Sequence, residues 1–125
     1  MVLREVLSQV RERTEERIKR ELSGFGGLFK RPIYNSRMPL HVLVSTDDQR
    51  YELVFLHDGN VELRDSSSSR PDVIIASDTQ TLQRLFLKPS ADEFELLERQ
   101  GKVKITAVSQ KGREAESYMR SFLGV

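Results

Sequence analysis

A continuous apolar run, Val73-Ile74-Ile75-Ala76, constrains this chain more than any other feature. A short run apolar on both sides of the pleat reads as a strand with neighbours on both edges and cover on its faces. Such a strand needs a sheet around it, and the residues before it supply one. His41 to Ser45 reads as a strand, Thr46-Asp47-Asp48-Gln49 as a turn, and Arg50 to His57 as a second strand. Asp58-Gly59 is a strong hairpin signal. Asn60 to Asp65 then alternates Val61 and Leu63 with Glu62 and Arg64, so one face of that strand is expected to be wet.

Helical patterns flank this β region. Leu3, Leu7, Val10, Thr14, Ile18 and Leu22 recur at spacings of three and four, which predicts an amphipathic helix over about Val2 to Leu22. Glu15–Lys19 and Glu16–Arg20 add acid-before-base pairs on its outer face. Ser77-Asp78-Thr79-Gln80 and Ser90-Ala91-Asp92-Glu93 have the form of capping boxes, each with a serine as the expected cap. They open two short helices with Leu82, Leu85 and Phe86 on one apolar face and Phe94 and Leu97 on the other. Gly101 is placed to end the second as a left-handed cap. Lys102 to Val108 alternates as a fifth strand, and Lys111 to Leu123 carries a final helical stripe. Between the first helix and the first strand, three glycines and two prolines in residues 23–40 predict a connector without a long regular element. Its Phe25, Leu28, Phe29, Ile33 and Tyr34 imply that it packs against the rest.

The expected fold is therefore α+β: a five-stranded, mainly antiparallel sheet with helices on one face, in a single domain over residues 1–125. Composition narrows the chemistry. With no cysteine, thiol catalysis and thiolate metal sites are excluded. Two histidines, His41 and His57, are too few for a histidine-based metal site, and no cofactor motif is present. Twenty basic residues against nineteen acidic ones do not suit a dedicated nucleic-acid binder. The charged N-terminal segment does not read as a signal peptide, and no apolar run has the length of a membrane span. A cytoplasmic location is the expectation. His57-Asp58 reads as part of a turn rather than a catalytic pair, His41 as an exposed strand start, and Ser66 to Ser69 lack a nucleophile elbow.

Taken together, Pro71-Asp72-Val73-Ile74-Ile75-Ala76-Ser77-Asp78, the helix with Leu82 and Leu85, and Gly101-Lys102-Val103-Lys104-Ile105 after a second short helix resemble the sterol carrier protein type two family. The resemblance spans Leu40 to Ile105. It departs after Ile105, where Thr106 to Gly112 intervenes, and the tail does not match the peroxisomal signal of the eukaryotic members. It implies a hydrophobic tunnel between sheet and helices, and non-catalytic binding or transfer of a fatty acid, acyl-CoA, sterol-like molecule or phospholipid. The alternative is a protein–protein interaction or accessory module of the same fold with a filled core.

Under the first reading, Leu82, Phe86, Phe94, Val103, Ile105, Tyr118, Met119 and Phe122 are expected to line the tunnel. Phe25, Phe29 and Tyr34 would form a flap over its mouth, with Lys30, Arg31 and Arg37 facing a headgroup or a transiently contacted membrane surface. A homodimer or an enzyme to which the domain is accessory are the expected protein partners.

Overall fold

The computed structural model describes residues 2–65 and 70–122, with the side chains of residues 25, 28, 29 and 117–122 outside the description. Five strands, β1 (Leu40–Ser45), β2 (Arg50–Phe55), β3 (Val61–Arg64), β4 (Val73–Ser77) and β5 (Val103–Ala107), form one sheet in the order β3-β2-β1-β4-β5. The β1–β2, β2–β3 and β4–β5 ladders are antiparallel, and β1–β4 is parallel. The apolar run of β4 thus lies inside the sheet, between β1 and β5, as its two-sided apolarity requires. At the β2–β3 connection, Asp58 (φ 61°) and Gly59 (φ 83°) are two successive left-handed residues, and their twist matches that of the strands they join.

The register puts Leu40, Val42 and Val44 of β1 beside Phe55 and Leu53 of β2 and beside Val73 and Ile75 of β4. All are buried, in one cluster with Leu3, Val6, Leu7 and Val10 of α1 (Leu3–Leu22). The remaining helices are α2 (Gly24–Ser36), α3 (Thr79–Leu87), α4 (Ala91–Arg99) and α5 (Gln110–Phe122). Leu85, Phe94, Leu97 and Val103 make a second, smaller cluster where α3 and α4 meet β5. Helix α1 also covers the sheet edge. The Val61 N–H donates to Glu15 Oε2 at 2.8 Å and its carbonyl accepts from Arg11 Nη1 at 3.2 Å, so an i,i+4 ion pair occupies backbone groups that an edge strand would otherwise present.

Helix α4 ends as expected. Gly101 has φ 75°, its N–H donates to the Glu98 carbonyl, and the Lys102 N–H reaches back to Leu97. Helix α5 approaches β4 so closely that a Cβ on Gly112 would lie 1.9 Å from the Asp72 carbonyl oxygen.

Three expectations are corrected. The glycine- and proline-rich connector is a 13-residue helix, α2, with Pro32 inside it. Gly24 (φ 75°) makes the break from α1, and a Cβ on Gly27 would lie 1.9 Å from the Leu22 carbonyl oxygen. The glycines that lower helix propensity are thus what let α2 fold back against the end of α1. The cap of α3 is Asp78, not Ser77: Asp78 Oδ1 accepts from the Thr81 N–H at 2.8 Å, while the Ser77 hydroxyl donates to the Lys102 carbonyl. His41 is half-buried rather than exposed, with Nδ1 2.8 Å from Oε1 of the fully buried Glu52.

Candidate functional site: a cavity between α1, α2 and α5

Where α2 folds back, the described side chains leave a space between them. A cavity of about 310 Å³ lies between Ile18, Glu21 and Leu22 of α1, Lys30, Ile33, Tyr34 and Arg37 of α2, Met38 and Leu40 at the entry to β1, and Lys111 and Ala115 of α5. That volume is at the lower end of the roughly 300–1,000 Å³ of small-molecule pockets. The sequence explains the location. The last turns of the α1 stripe, Ile18 and Leu22, are buried but lie past the sheet-covering half of the helix. Helix α2 is fixed at its far end, where Asn35 Nδ2 donates to Asp58 Oδ1 at 3.0 Å and the Asp58 N–H donates to Asn35 Oδ1 at 2.8 Å. The gap is held open between two anchored helices.

Walls and rim differ in chemistry. Ile18, Leu22, Met38, Leu40 and Ala115 supply apolar wall. Ile33 is 59% exposed, a large apolar side chain at the opening. Lys30, Arg37 and Lys111 supply positive charge against one carboxylate, Glu21, which is 3.8 Å from Arg17. Lys111 Nζ donates to the Pro39 carbonyl at 2.9 Å.

Tyr34 is the unusual member. Its hydroxyl oxygen is buried and, among the described residues, has no hydrogen-bond partner. Burial pushes the phenol up to about 12, so it stays protonated and remains an O–H donor. Leaving such a donor unpaired costs about 1–3 kcal/mol.

The opposite face of the sheet carries a second polar feature. Glu52, fully buried on β2, meets His41 Nδ1 at 2.8 Å and lies 3.9 Å from Arg64 Nη1. This is a charge cluster built into the sheet, on the face away from the cavity. Among the described residues no group of three or more His, Cys, Asp or Glu side chains could hold a metal ion.

The residues that the sequence nominated are distributed as follows. Tyr34 lines the cavity, together with Lys30 and Arg37. Leu82 and Phe86 belong to the large core cluster, Phe94 and Val103 to the smaller one, and Ile105 packs against both. The side chains of Phe25, Phe29, Tyr118, Met119 and Phe122 lie outside the described residues. Sequence reasoning did not nominate Ile18, Leu22, Ile33, Met38, Leu40 or Ala115 as lining. Ile18 and Leu22 were legible only as the end of a helix stripe. The signal that could have found them is the glycine pair just downstream, which brings α2 back onto that stripe.

Solved structures share this fold. A sterol carrier protein 2-like 2 from Aedes aegypti superposes with a TM-score of 0.53 over 94% of this chain and 96% of that one, at 12% identity. The fold is that of sterol carrier protein 2. A protein described as a UbiJ-SCP2 ubiquinone synthesis protein gives the same TM-score, 0.53, over 87% of this chain and 88% of that one, at 14% identity. The sterol carrier fold is also matched within the inverting sec-alkylsulfatase Pisa1 from a Pseudomonas species, with a TM-score of 0.50 and 19% identity over 69% of this chain. This chain spans only 12% of that enzyme's length. No protein-family model and no curated protein matches the sequence. No helix among the described residues is long and apolar enough to cross a membrane.

Proposed function

We propose that this chain, read as one sterol-carrier-like domain over residues 1–125, binds or transfers a hydrophobic ligand without catalysing a reaction on it. The observation that carries this reading is the apolar cavity of about 310 Å³ between α1, α2 and α5, on the helix-covered side of the sheet. Transfer of an alkyl chain from water gains ~0.8 kcal/mol per methylene, so ten methylenes offer about 8 kcal/mol before the costs of association. A fatty acid, acyl-CoA, sterol-like molecule or phospholipid has such a tail. The two neighbours matched along most of their length, a sterol carrier protein 2-like protein and a ubiquinone synthesis protein, concern apolar molecules and support the same class.

In this reading Ile33 and the cations of α2 form a mouth that touches a membrane surface transiently while the ligand passes. Phe25, Phe29, Tyr118, Met119 and Phe122 belong to helices that supply cavity wall, and the proposed lining keeps them. Leu82, Phe86, Phe94, Val103 and Ile105 are the core against which a longer tail would press. The match within a sulfatase, covering 12% of that chain, favours a second role as an accessory module of an enzyme.

Native mass spectrometry of gently purified protein tests the proposal. The expected result is a noncovalent lipid adduct that organic extraction removes and a fluorescent fatty acid replaces saturably. An adduct-free protein with no saturable binding would contradict it.

A further inference from the structure

We propose that the Tyr34 hydroxyl selects the ligand, donating a hydrogen bond to a carbonyl or carboxylate oxygen at the ligand's polar end. The site then takes a single-tailed hydrophobe ending in an oxygen acceptor, and discriminates against a plain hydrocarbon or an alkylamine. This inference rests on the ligand-binding reading above and specifies the polar half of the same site.

Three observations on α2 lead to it. First, Tyr34 lines a mostly apolar cavity, and its buried hydroxyl oxygen has no partner among the described residues. A buried donor left unsatisfied in the free protein is satisfied by whatever acceptor the cavity admits. Second, Lys30, Tyr34 and Arg37 fall at i, i+4 and i+7, on one face of α2, and all three line the cavity. Neither Lys30 nor Arg37 has a carboxylate partner among the described residues, and with Lys111 they outnumber Glu21, the one carboxylate of the lining. That field favours a carboxylate and repels an ammonium group. Third, the residue after Tyr34 is fixed: the side chain of Asn35 exchanges two hydrogen bonds with Asp58. The end of α2 that carries Tyr34 is therefore anchored before a ligand arrives, as a selective donor requires.

The test uses the full chain and three probes of similar length: decanoate, 2-undecanone and undecane. Decanoate is titrated calorimetrically, and the two volatile probes are followed by protein-dependent depletion of an equilibrated headspace. Tyr34→Phe removes only the hydroxyl. It is expected to weaken 2-undecanone and decanoate about tenfold, the value of one hydrogen bond, while leaving undecane unchanged. The double variant Lys30→Gln, Arg37→Gln is expected to weaken decanoate alone. The thermal midpoint of Tyr34→Phe is expected to equal or exceed that of the parent, since an unpartnered group has been deleted.

The proposal is overturned if Tyr34→Phe shifts all three probes equally or none of them. It is also overturned if the variant melts earlier, because the hydroxyl would then have a partner in the free protein. If the unaltered protein binds none of the three, this inference is overturned, and the ligand-binding reading fails with it only where native mass spectrometry also finds no lipid adduct.

Discussion

The two ends of α1 bury equally apolar residues against different backgrounds. Its first half lays Leu3, Val6, Leu7 and Val10 on the sheet, and all four are essentially inaccessible. Its last turns bury Ile18 and Leu22 nearly as well, but their outer neighbour is the cavity under α2. The buried stripe continues through both halves. What changes is the partner. A sheet face offers a continuous pleated surface into which side chains interdigitate, whereas a second helix folded back through glycines touches along a line and leaves space beside it. Burial of a residue therefore says little about whether the volume beside it is filled.

Substitutions at the two ends break or sharpen this contrast. Leu7→Ala, at the filled end, should cost about 4 kcal/mol, because it removes a buried side chain and leaves a new void that cannot collapse. Urea unfolding with an unchanged m-value is the measurement. Gly112→Ala should cost about 3 kcal/mol, since α5 must move off the Asp72 carbonyl to admit a methyl group. Leu22→Ala should cost only about 2 kcal/mol, because the space it vacates merges with a cavity already present. Equal losses at Leu7 and Leu22 would mean that the end of α1 is as tightly packed as its beginning.

Glu15, midway along α1, supplies the smallest effect. Glu15→Ala should cost about 1 kcal/mol by freeing the Val61 N–H at the sheet edge. The Val61 N–H holds the Glu15 carboxyl below its ordinary value of 4.5, with further help from Lys19 and Arg11 against the opposing effect of burial. A carboxyl lowered in the folded state stabilises fully above its unfolded pKa. That contribution is lost as the pH falls through the folded value. The stability gap between parent and variant should thus be constant from neutral pH down to about 5 and shrink below that. A gap that persists at pH 2 would assign the loss to packing instead.

Most of the sheet was legible in the sequence because each strand carries its own instruction. The two-sided run of β4, the alternation of Val61 to Arg64 and the Asp58-Gly59 turn are local signals with local consequences. The cavity was not legible for the same reason. It arises where residues from α1, α2, the entry to β1 and α5 converge, and no single segment encodes a void. Gly24, Gly26 and Gly27 misled because low helix propensity is a local property, while the close approach at Gly27 is a tertiary one. Glu52 was hidden at the start of the continuous apolar run Leu53-Val54-Phe55, and the register that brings His41 and Arg64 beside it is a tertiary feature. Tyr34 could be named from sequence as a large residue in an apolar connector. That its hydroxyl is left without a partner is visible only in three dimensions.

The most direct test of the account is to fill the space and ask whether ligand is lost. Ala115→Trp projects an indole from the α5 wall into the cavity, and Leu96→Trp places the same group at an exposed position on α4 that does not line it. Titration with a fluorescent fatty acid should show saturable binding to the parent and to Leu96→Trp, and a loss of at least tenfold in Ala115→Trp while its circular dichroism stays native. Undiminished binding by a folded Ala115→Trp would contradict the claim that this cavity is where the ligand sits.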